Sequence, residues 1–388
     1  MTDSCAKCKS DLQTLRSSNL PEGKPTWPKL RIADLFAGCG GLSIGMQEAA
    51  HALRCTLDIK LAVDTDPMAL EVYKKTFPDA TVYCDMVEKL LNGDMDVPET
   101  PEESRLRCRV GQLDILMGGP PCQGHSNLNN HSRRDDPRNA LYLRIARAAC
   151  ILKPKVVITE NVPTVTLDAR GAVHQTIDNL KDLGYTVGKG VVDLRKLGVP
   201  QKRRRHVIVA VRDCDIDPQA LVNSLATPVC EHIPRSVRWA ISDLVDVVPS
   251  KPFDKPSQPQ RANKDRINWL FDHGEFNLPS QHRPDCHGPN HNYPAVYGRM
   301  SWDEPSLTVT TGFNCMGQGR YVHPARRRTI TPHEAARLQM IPDYVDLGSV
   351  LLRTRLAKLI GNAVPPPLSY ALGQQIIPAL VDTDSDLK

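Results

Sequence analysis

Short apolar runs alternate with segments of helical periodicity between Leu30 and Arg212, and this alternation limits the possible folds more than any other feature. Strands that alternate with helices indicate a parallel sheet covered by helices on both faces. We therefore predict an α/β domain with a doubly wound, mostly parallel, Rossmann-like sheet. In such sheets ligands bind at the carboxyl ends of the strands, and the unusual residue clusters of this chain follow those ends.

The distribution of strand and helix patterns along the sequence predicts four segments. Residues 1–28 are polar and end in a Pro-rich stretch, which indicates an N-terminal tail. Residues 29–212 carry the strand and helix alternation of the first domain. Residues 213–345 hold many prolines and scattered histidines without that alternation, which predicts a second, smaller and irregular domain. Residues 346–388 regain helical periodicity, and we expect them to return to the first domain.

Composition excludes several classes of protein. A hydrophobic content of 40% is too high for a disordered chain, and no apolar run approaches the roughly 18 residues of a membrane span. The N-terminus lacks the layout of a secretory signal. Twelve cysteines are too few for a disulfide scaffold in a chain of 388 residues, so we expect reduced thiols in a cytoplasmic protein without a membrane partner.

The first strand ends predict a nucleoside cofactor. In the turn DLFAGCGG, Gly38 and Gly40 allow a ligand to approach the backbone closely. Asp64, about 25 residues farther along, follows the second apolar run, where an acid can bind ribose hydroxyls. Asp85 ends the third run and is placed for an exocyclic amine, while Phe36 can stack on a base. These groups suit an adenine nucleoside without phosphates, and S-adenosylmethionine fits better than NAD.

The fourth and fifth strand ends predict the reaction. Cys122 follows the rigid turn GGPP, and Glu160 ends the next apolar run. Carbon 5 of cytosine is a poor nucleophile in the resting ring, but a thiolate that adds to carbon 6 makes it enamine-like. Protonation or hydrogen bonding of ring nitrogen 3 by an acidic side chain stabilises the charge that develops. One cysteine, one acid and one sulfonium cofactor therefore suffice for methyl transfer to carbon 5.

With these residues the chain resembles the DNA (cytosine-5)-methyltransferase family of bacterial-type modification methylases, from about Leu30 to the C-terminus. The matching segments occur in family order: DLFAGCGG, the acids at 64–66 and 85, GPPCQG, ENV, QKRRR, RRTITPHEAARLQ and GNAV. The resemblance implies that Cys122 is the nucleophile and that Glu160 binds the ring nitrogen. It further implies that Arg203 and Arg205 position the cytosine, its backbone or the catalytic groups.

The same resemblance, taken with the strand ends, predicts the binding residues. The cofactor pocket is predicted to contain Phe36, Gly38, Gly40, Asp64, Thr65, Asp85, Met86, Pro120, Leu141, Asn362 and Val364. Thr65 departs from the bulky aromatic of some members, and Asp64 stands where many members carry Glu. Basic clusters suited to phosphates and polar loop residues predict DNA contacts at Gln123, Ser126, Arg138, Gln201, Arg320 and Arg327.

Double-stranded DNA is the predicted macromolecular partner. A duplex hides carbons 5 and 6, so the cytosine must be flipped out of the helix. We predict that the loop 123–138 closes over the flipped base and that residues 213–320 choose the target sequence. The family default is a monomer near the bacterial nucleoid, and the sequence leaves open whether a separate restriction endonuclease accompanies it.

No metal site is predicted. Cys5 and Cys8 form a CxxC without a second pair nearby, which is typical of a frayed terminus. Four more residues have a spacing that matches no standard zinc finger: His282, Cys286, His287 and His291.

Three alternative functions stay open at this point. The same chemistry could act on a transfer RNA, as it does in one branch of the family. An amino-group DNA methyltransferase would place Asp or Asn before Pro-Pro and an aromatic after it, whereas this chain has Gly119 and Cys122. A non-catalytic DNA-binding relative would not need Cys122, Glu160, Arg203 and Arg205 together.

Overall fold

The computed structural model describes residues 5–121, 141–167, 171–232, 234–285 and 295–385. The chain divides into two compact units. The sheet unit comprises Pro21–Leu197, Arg204–Thr227 and Val364–Lys388. The irregular unit comprises Met1–Leu20, Gly198–Arg203 and Pro228–Ala363.

The strands and helices of both units have the following bounds. The strands are β1 (Lys29–Leu35), β2 (Thr56–Asp64), β3 (Val82–Cys84), β4 (Ile115–Gly118), β5 (Val156–Asn161), β6 (Thr186–Asp193), β7 (Gln201–Lys202), β8 (Arg204–Val211) and β9 (Ser306–Leu307). The helices are α1 (Ala6–Leu15), α2 (Gly41–Ala52), α3 (Pro67–Thr76), α4 (Val87–Leu90), α5 (Pro101–Val110), α6 (Leu141–Leu152), α7 (Ala172–Asp182), α8 (Pro218–Ser224), α9 (Val237–Ile241), α10 (Arg261–Asp272), α11 (Pro332–Leu338), α12 (Arg353–Asn362) and α13 (Pro367–Ser385). None of the helices in the described ranges is long and apolar enough to cross a membrane.

The sheet unit contains a seven-stranded sheet in the order β3-β2-β1-β4-β5-β8-β6. The first five strands in this order pair in parallel, and β8 runs antiparallel between β5 and β6. The predicted α/β fold with a mostly parallel sheet is confirmed. The chain order reverses between β1 and β4, and open α/β sheets bind their ligands at the carboxyl ends flanking such a reversal.

Strands β4 and β5 at the centre of the sheet are buried along their whole length, as expected for strands with helices on both faces. α2 lies unusually close to the C-terminal segment, since a Cβ atom placed on Gly45 would lie 1.9 Å from the carbonyl oxygen of Pro366. The side chain of Gln374 on α13 donates to the carbonyl of Ala49 on α2 at 3.2 Å. Glycine at position 45 therefore permits the C-terminal helix to pack directly on α2.

The irregular unit has little regular sheet. β7 and β9 form a short parallel pair. Its apolar core includes Ile267, Leu270, Leu278, Val296, Tyr297, Met316 and Val322. α11 begins with a capping box in which Thr331 and Glu334 satisfy each other's backbone N–H groups. Side-chain caps and loop packing, rather than strand pairing, thus hold much of this unit.

The unit boundaries differ from those that the sequence predicts. The predicted tail contains α1, and Cys8 and Leu15 on this helix are only 1% exposed within the irregular unit. Residues 346–363 also belong to the irregular unit, where α12 packs against α11. The sequence does not reveal these assignments because they depend on which surface each short helix contacts.

A buried ion pair connects α5 with α6. The side chains of Glu103 and Arg147 are 0% and 2% exposed, and Arg147 Nε donates to Glu103 Oε1 at 2.8 Å. Arg147 also donates to the carbonyls of Asp94, Val97 and Pro98. Burial favours the neutral acid, but hydrogen bonds from Arg147, Thr100 and Gly93 outweigh it and hold the pKa of Glu103 at about 2.

We predict that Arg147→Leu lowers the free energy of unfolding by about 3–5 kcal/mol, because it leaves the Glu103 carboxylate buried without a counter-charge. Urea denaturation followed by circular dichroism measures this loss. The matched control is Arg105→Leu, since Arg105 pairs with Glu102 at the surface and such pairs contribute about 0–1 kcal/mol. Equal losses in the two variants would contradict the assignment.

Candidate active site

The turn between β1 and α2 leaves open space beside its backbone. Gly38 and Gly40 have φ angles of +54° and +93°, a region that glycine occupies without strain. A Cβ atom on Gly40 would lie 3.1 Å from Phe77 and Tyr73, whereas a Cβ atom on Gly38 would meet nothing within 4 Å. Phe36, also at positive φ, packs against the core of the sheet unit. A ligand can therefore approach the backbone at Gly38.

The carboxylate of Asp64 fixes this turn. One of its oxygens accepts the N–H of Gly38 at 2.8 Å, and the other accepts the N–H of Asp66 at 2.9 Å. Asp66 in turn caps α3 by accepting the N–H of Met68. Each Asp64 oxygen keeps a second lone pair for a ligand hydroxyl. Thr65, between the two acids, is exposed.

Asp85 follows β3 at the same edge of the sheet. It accepts the backbone N–H of Met86 at 2.8 Å and pairs with Lys89 at 2.8 Å. The hydrogen bond from Lys89, followed by that from Met86, lowers the pKa of Asp85, so this group is ionised at neutral pH. The Met86 side chain is 48% exposed, which is high for a large apolar residue.

Asp34, which was not among the predicted site residues, is the least exposed acid beside this turn. Only 1% of it is exposed, and it accepts a hydrogen bond from the hydroxyl of Ser43 at 2.6 Å. Burial raises the pKa of Asp34 to about 7, and the charge of Asp64 acts in the same direction. An acid inside a buried apolar strand, directly before the Gly-rich turn, is the sequence signal that could have identified it.

Glu160 and Arg205 meet where β5 lies beside β8. Arg205 Nε lies 2.5 Å from Glu160 Oε1, and the two side chains are only 11% and 8% exposed. Arg205 Nε and Glu160 Oε1 are not aligned as a hydrogen bond. This Glu160 oxygen therefore forms an ion pair with Arg205 but accepts no hydrogen bond. Burial raises the pKa of Tyr142, and the charge of Glu160 raises it further. The predicted acid is thus a desolvated carboxylate beside one guanidinium.

Asn161 joins the ends of β4 and β5. Its Nδ2 donates to the carbonyl of Pro120 at 3.0 Å, and its Oδ1 accepts the N–H of Val162 at 2.8 Å. A Cβ atom on Gly119 would lie 3.6 Å from Glu160 Oε2 and 3.7 Å from Val364 Cγ2. The Gly-Pro-Pro turn therefore lies against Glu160. Asn161, which bonds this turn, is not among the predicted site residues.

Several predicted residues have no described structure. The described residues stop at 121 and resume at 141, so four predictions fall outside them: Cys122, Gln123, Ser126 and Arg138. Leu141 is the first residue of α6 and is half-buried.

The two predicted cofactor residues near the C-terminus fall in different units. A Cβ atom on Gly41 would lie 2.2 Å from the Val364 carbonyl oxygen, which places Val364 against the start of α2. Asn362 is the last residue of α12 in the irregular unit and is exposed.

Two residues of the QKRRR segment are buried in the irregular unit. Gln201, predicted to contact DNA, is 0% exposed; its amide nitrogen donates to the Leu338 carbonyl and the Gln339 side chain, and its amide oxygen accepts the N–H of Val309. Arg203, predicted in the catalytic group, is 2% exposed and donates to the carbonyls of Val309 and Ala363. These bonds connect both side chains to the framework of the irregular unit.

The two arginines predicted to bind DNA near the C-terminal half have partners of their own. Arg320 donates to the carbonyls of Phe276 and Arg299, and burial lowers its pKa. Arg327 is about half exposed and forms an ion pair with Asp272 at 2.6 Å. Arg327 therefore remains accessible to a phosphate. Arg320 mainly connects loops of the irregular unit through its hydrogen bonds.

Comparison with known proteins identifies relatives along most of the chain. Residues 30–378 match the family model described as C-5 cytosine-specific DNA methylase. The chain is 44% identical over 363 residues to Type II methyltransferase M1.BsuMI of Bacillus subtilis, with 93% of this chain and 84% of that protein covered. It is 30% identical over 361 residues to Type II methyltransferase M.Eco47II of Escherichia coli, with 89% and 78% covered. The solved S. pombe Dnmt2 methyltransferase shares the fold, with a TM-score of 0.61 at 16% identity, 90% of this chain and 99% of that one covered.

We predict that Asp34→Asn removes a pH dependence of stability. The unfolded carboxyl loses its proton near pH 4 and the folded one near pH 7, so the parent loses stability relative to the variant as pH rises through this window. The difference is at most about 4 kcal/mol above pH 7. Urea denaturation between about pH 4 and pH 8 measures it. Ser43→Ala, which keeps the carboxyl, should keep the slope; an identical slope in Asp34→Asn would contradict the assignment.

Proposed function

The chain belongs to the C-5 cytosine-specific DNA methylases, and from this premise we propose that it methylates carbon 5 of a cytosine flipped out of a specific duplex DNA sequence, through a covalent adduct of Cys122 with carbon 6. The observation that carries the proposal is the desolvated Glu160 carboxylate, paired with Arg205, beside the turn that leads into Cys122. A buried acid next to a nucleophile on a rigid turn is what addition to a pyrimidine requires.

The residues at the strand ends fit S-adenosylmethionine. The open space beside Gly38 can receive a ligand against the backbone, and Asp64 is oriented with lone pairs for ribose hydroxyls. Asp85 can accept a hydrogen bond from the exocyclic amine, and Met86 offers an exposed apolar surface to the adenine. When bound, the cofactor supplies an electrophilic methyl group. The negative charges of Asp64 and Asp85 suit a ligand that carries a positive sulfonium.

The chain's own residues perform the remaining chemistry. The Cys122 thiolate forms a bond to carbon 6, and the ring electrons move toward carbon 5 and nitrogen 3. In its protonated form Glu160 donates a hydrogen bond or its proton to nitrogen 3, which stabilises the charge that develops there, and it recovers the proton when the adduct collapses. Once carbon 5 carries the methyl group, its proton passes to solvent water, the electron pair returns to the ring and the carbon–sulfur bond breaks. The thiolate is thereby regenerated.

Arg205 positions the acid in this scheme. Its guanidinium lies beside Glu160 at a site from which water is nearly excluded. The positive charge of Arg205 balances the negative charge of the buried carboxylate. Asn161 acts on the other side of the site, because its bond to the Pro120 carbonyl fixes the turn two residues before Cys122. We propose that these two side chains set the distance between acid and nucleophile.

Duplex DNA is the proposed substrate, with the cytosine rotated out of the stack so that the thiolate can attack perpendicular to the ring. The deciding experiment incubates the purified chain with labelled S-adenosylmethionine and either unmethylated genomic DNA or transfer RNA. Conversion sequencing of the DNA should find 5-methylcytosine confined to one short sequence. Label in transfer RNA alone, or methylation of another atom, would overturn the proposal.

Cys122→Ser is predicted to lower methyl transfer by at least about 1,000-fold, because a hydroxyl is a far weaker nucleophile than a thiolate. Binding of S-adenosylmethionine, measured by calorimetry, should stay within about threefold of the parent. Duplex DNA with 5-fluorocytosine tests the adduct directly, since fluorine at carbon 5 cannot leave as a proton. The parent should form a complex that survives a denaturing gel, and the variant should form none. A parent without such a complex would rule out the covalent route.

Glu160→Gln is predicted to slow methyl transfer by about 100- to 10,000-fold, because an amide cannot supply a proton to nitrogen 3. The matched control is Glu71→Gln, an exposed carboxylate on α3 that pairs with Lys75. Single-turnover rates with saturating DNA separate chemistry from binding. If both variants kept the parental rate, Glu160 would not be the acid.

A further inference from the structure

Three cysteines from distant parts of the sequence meet in the irregular unit. Cys5 and Cys8 flank the first turn of α1, and Cys230 follows them by more than 220 residues in sequence. One ligand atom from each of the three lies within 4.8 Å of the others. All three are free thiols. The CxxC motif near the N-terminus therefore acquires a third sulfur that its sequence spacing does not reveal.

The spacing of the sulfurs suits a shared ion. The Sγ atoms of Cys8 and Cys230 are 3.6 Å apart. Zinc binds thiolates at about 2.3 Å in tetrahedral geometry, which separates two bound sulfurs by about 3.8 Å. A disulfide would instead require about 2.05 Å. The two atoms thus lie close to the separation that a common zinc ion imposes.

Hydrogen-bond donors and a positive charge lie around the sulfurs of the cluster. The backbone N–H of Cys8 donates to the Cys5 sulfur at 3.2 Å, at the start of α1, where the helix dipole stabilises negative charge. Arg235 is 2% exposed, stacks over Trp239 and pairs with Asp11 of α1 at 2.6 Å. Its guanidinium lies near enough to Cys8 to act electrostatically on that sulfur. Oriented donors and a fixed charge of this kind are typical of a second shell around a metal.

His232 lies near the cluster. It follows Cys230 by two residues, and its Nδ1 is shielded from solvent. Its ring is near enough to Cys5 to act electrostatically on that sulfur. An imidazole with three thiolates is a common ligand set of closed structural zinc sites.

We propose that Cys5, Cys8 and Cys230 bind one structural zinc ion, with His232 as the fourth ligand. The ion would fasten α1 to the segment that precedes α9. Three other contacts already bind the same helix: Arg235 to Asp11, Arg16 to Asp243, and the N–H of Asp343 to the carbonyl of Leu15. The helix within the segment predicted as a tail therefore packs as part of the irregular unit. The zinc ion would close a loop of more than 200 residues.

The first test measures zinc in the purified full chain by inductively coupled plasma mass spectrometry, after expression with added zinc and without chelators. We expect about one zinc per chain in the parent and at least a fivefold loss in Cys8→Ser. The matched control is Cys214→Ser, a half-buried free cysteine of the sheet unit, which should retain the parental content. Less than about 0.1 zinc per chain in the parent, or equal contents in parent and Cys8→Ser, would overturn the proposal.

The second test begins with the parent, so its main result does not depend on whether a variant folds. The parent is stripped of metal under reducing conditions and titrated with cobalt(II) chloride. Tetrahedral thiolate ligation should give visible d–d bands and a near-ultraviolet charge-transfer band that saturate at one equivalent. His232→Ala should weaken cobalt binding at least tenfold and leave the thiolate band in place. An octahedral spectrum, or mass spectrometry of freshly lysed cells that shows a Cys8–Cys230 disulfide, would refute the site.

Discussion

The parallel pairing of β1 with β2 on one side and β4 on the other is the constraint on which the site depends. In the register of these strands Leu35 lies opposite both Val63 and Gly118, and Gly118 lies opposite Thr159. Neighbouring strands lie about 4.8 Å apart. The residues that follow these four positions therefore lie at the same edge of the sheet, separated from one another by a few strand spacings. The Gly-rich turn, Asp64, the Gly-Pro-Pro turn and Glu160 converge for this reason.

That edge is also where the fold buries charge. Asp34 and Glu160 lie at the ends of central strands, and burial there would cost several kcal/mol for an unpaired ion. The two acids meet this cost differently, since Glu160 has the guanidinium of Arg205 while Asp34 has a hydroxyl partner and a raised pKa. The fold therefore accommodates one buried acid by pairing it with a positive charge and the other by raising its pKa.

Much of the positive charge in the irregular unit is paired with acids of the same unit. Arg326, Arg327 and Arg328 form a basic cluster in the sequence, and each pairs with a carboxylate there: Asp246, Asp272 and Glu334. Gln201 and Arg203 likewise bond internal carbonyls. A charge pattern in the sequence does not show which acids fold back onto it, so such pairing becomes visible only in the folded structure.

Local sequence patterns establish the α/β class, the order of the motifs and the acids at the strand ends, because strand periodicity and turn chemistry are local properties. The sequence also pointed to Glu160 and Asp64, since an acid directly after a buried strand is unusual. Only the folded chain reveals that Arg205 pairs with Glu160, that Asp34 is buried with a raised pKa, and that α1 belongs to the irregular unit beside Cys230. Those outcomes depend on contacts between residues far apart in the chain, and neither periodicity nor spacing contains that information.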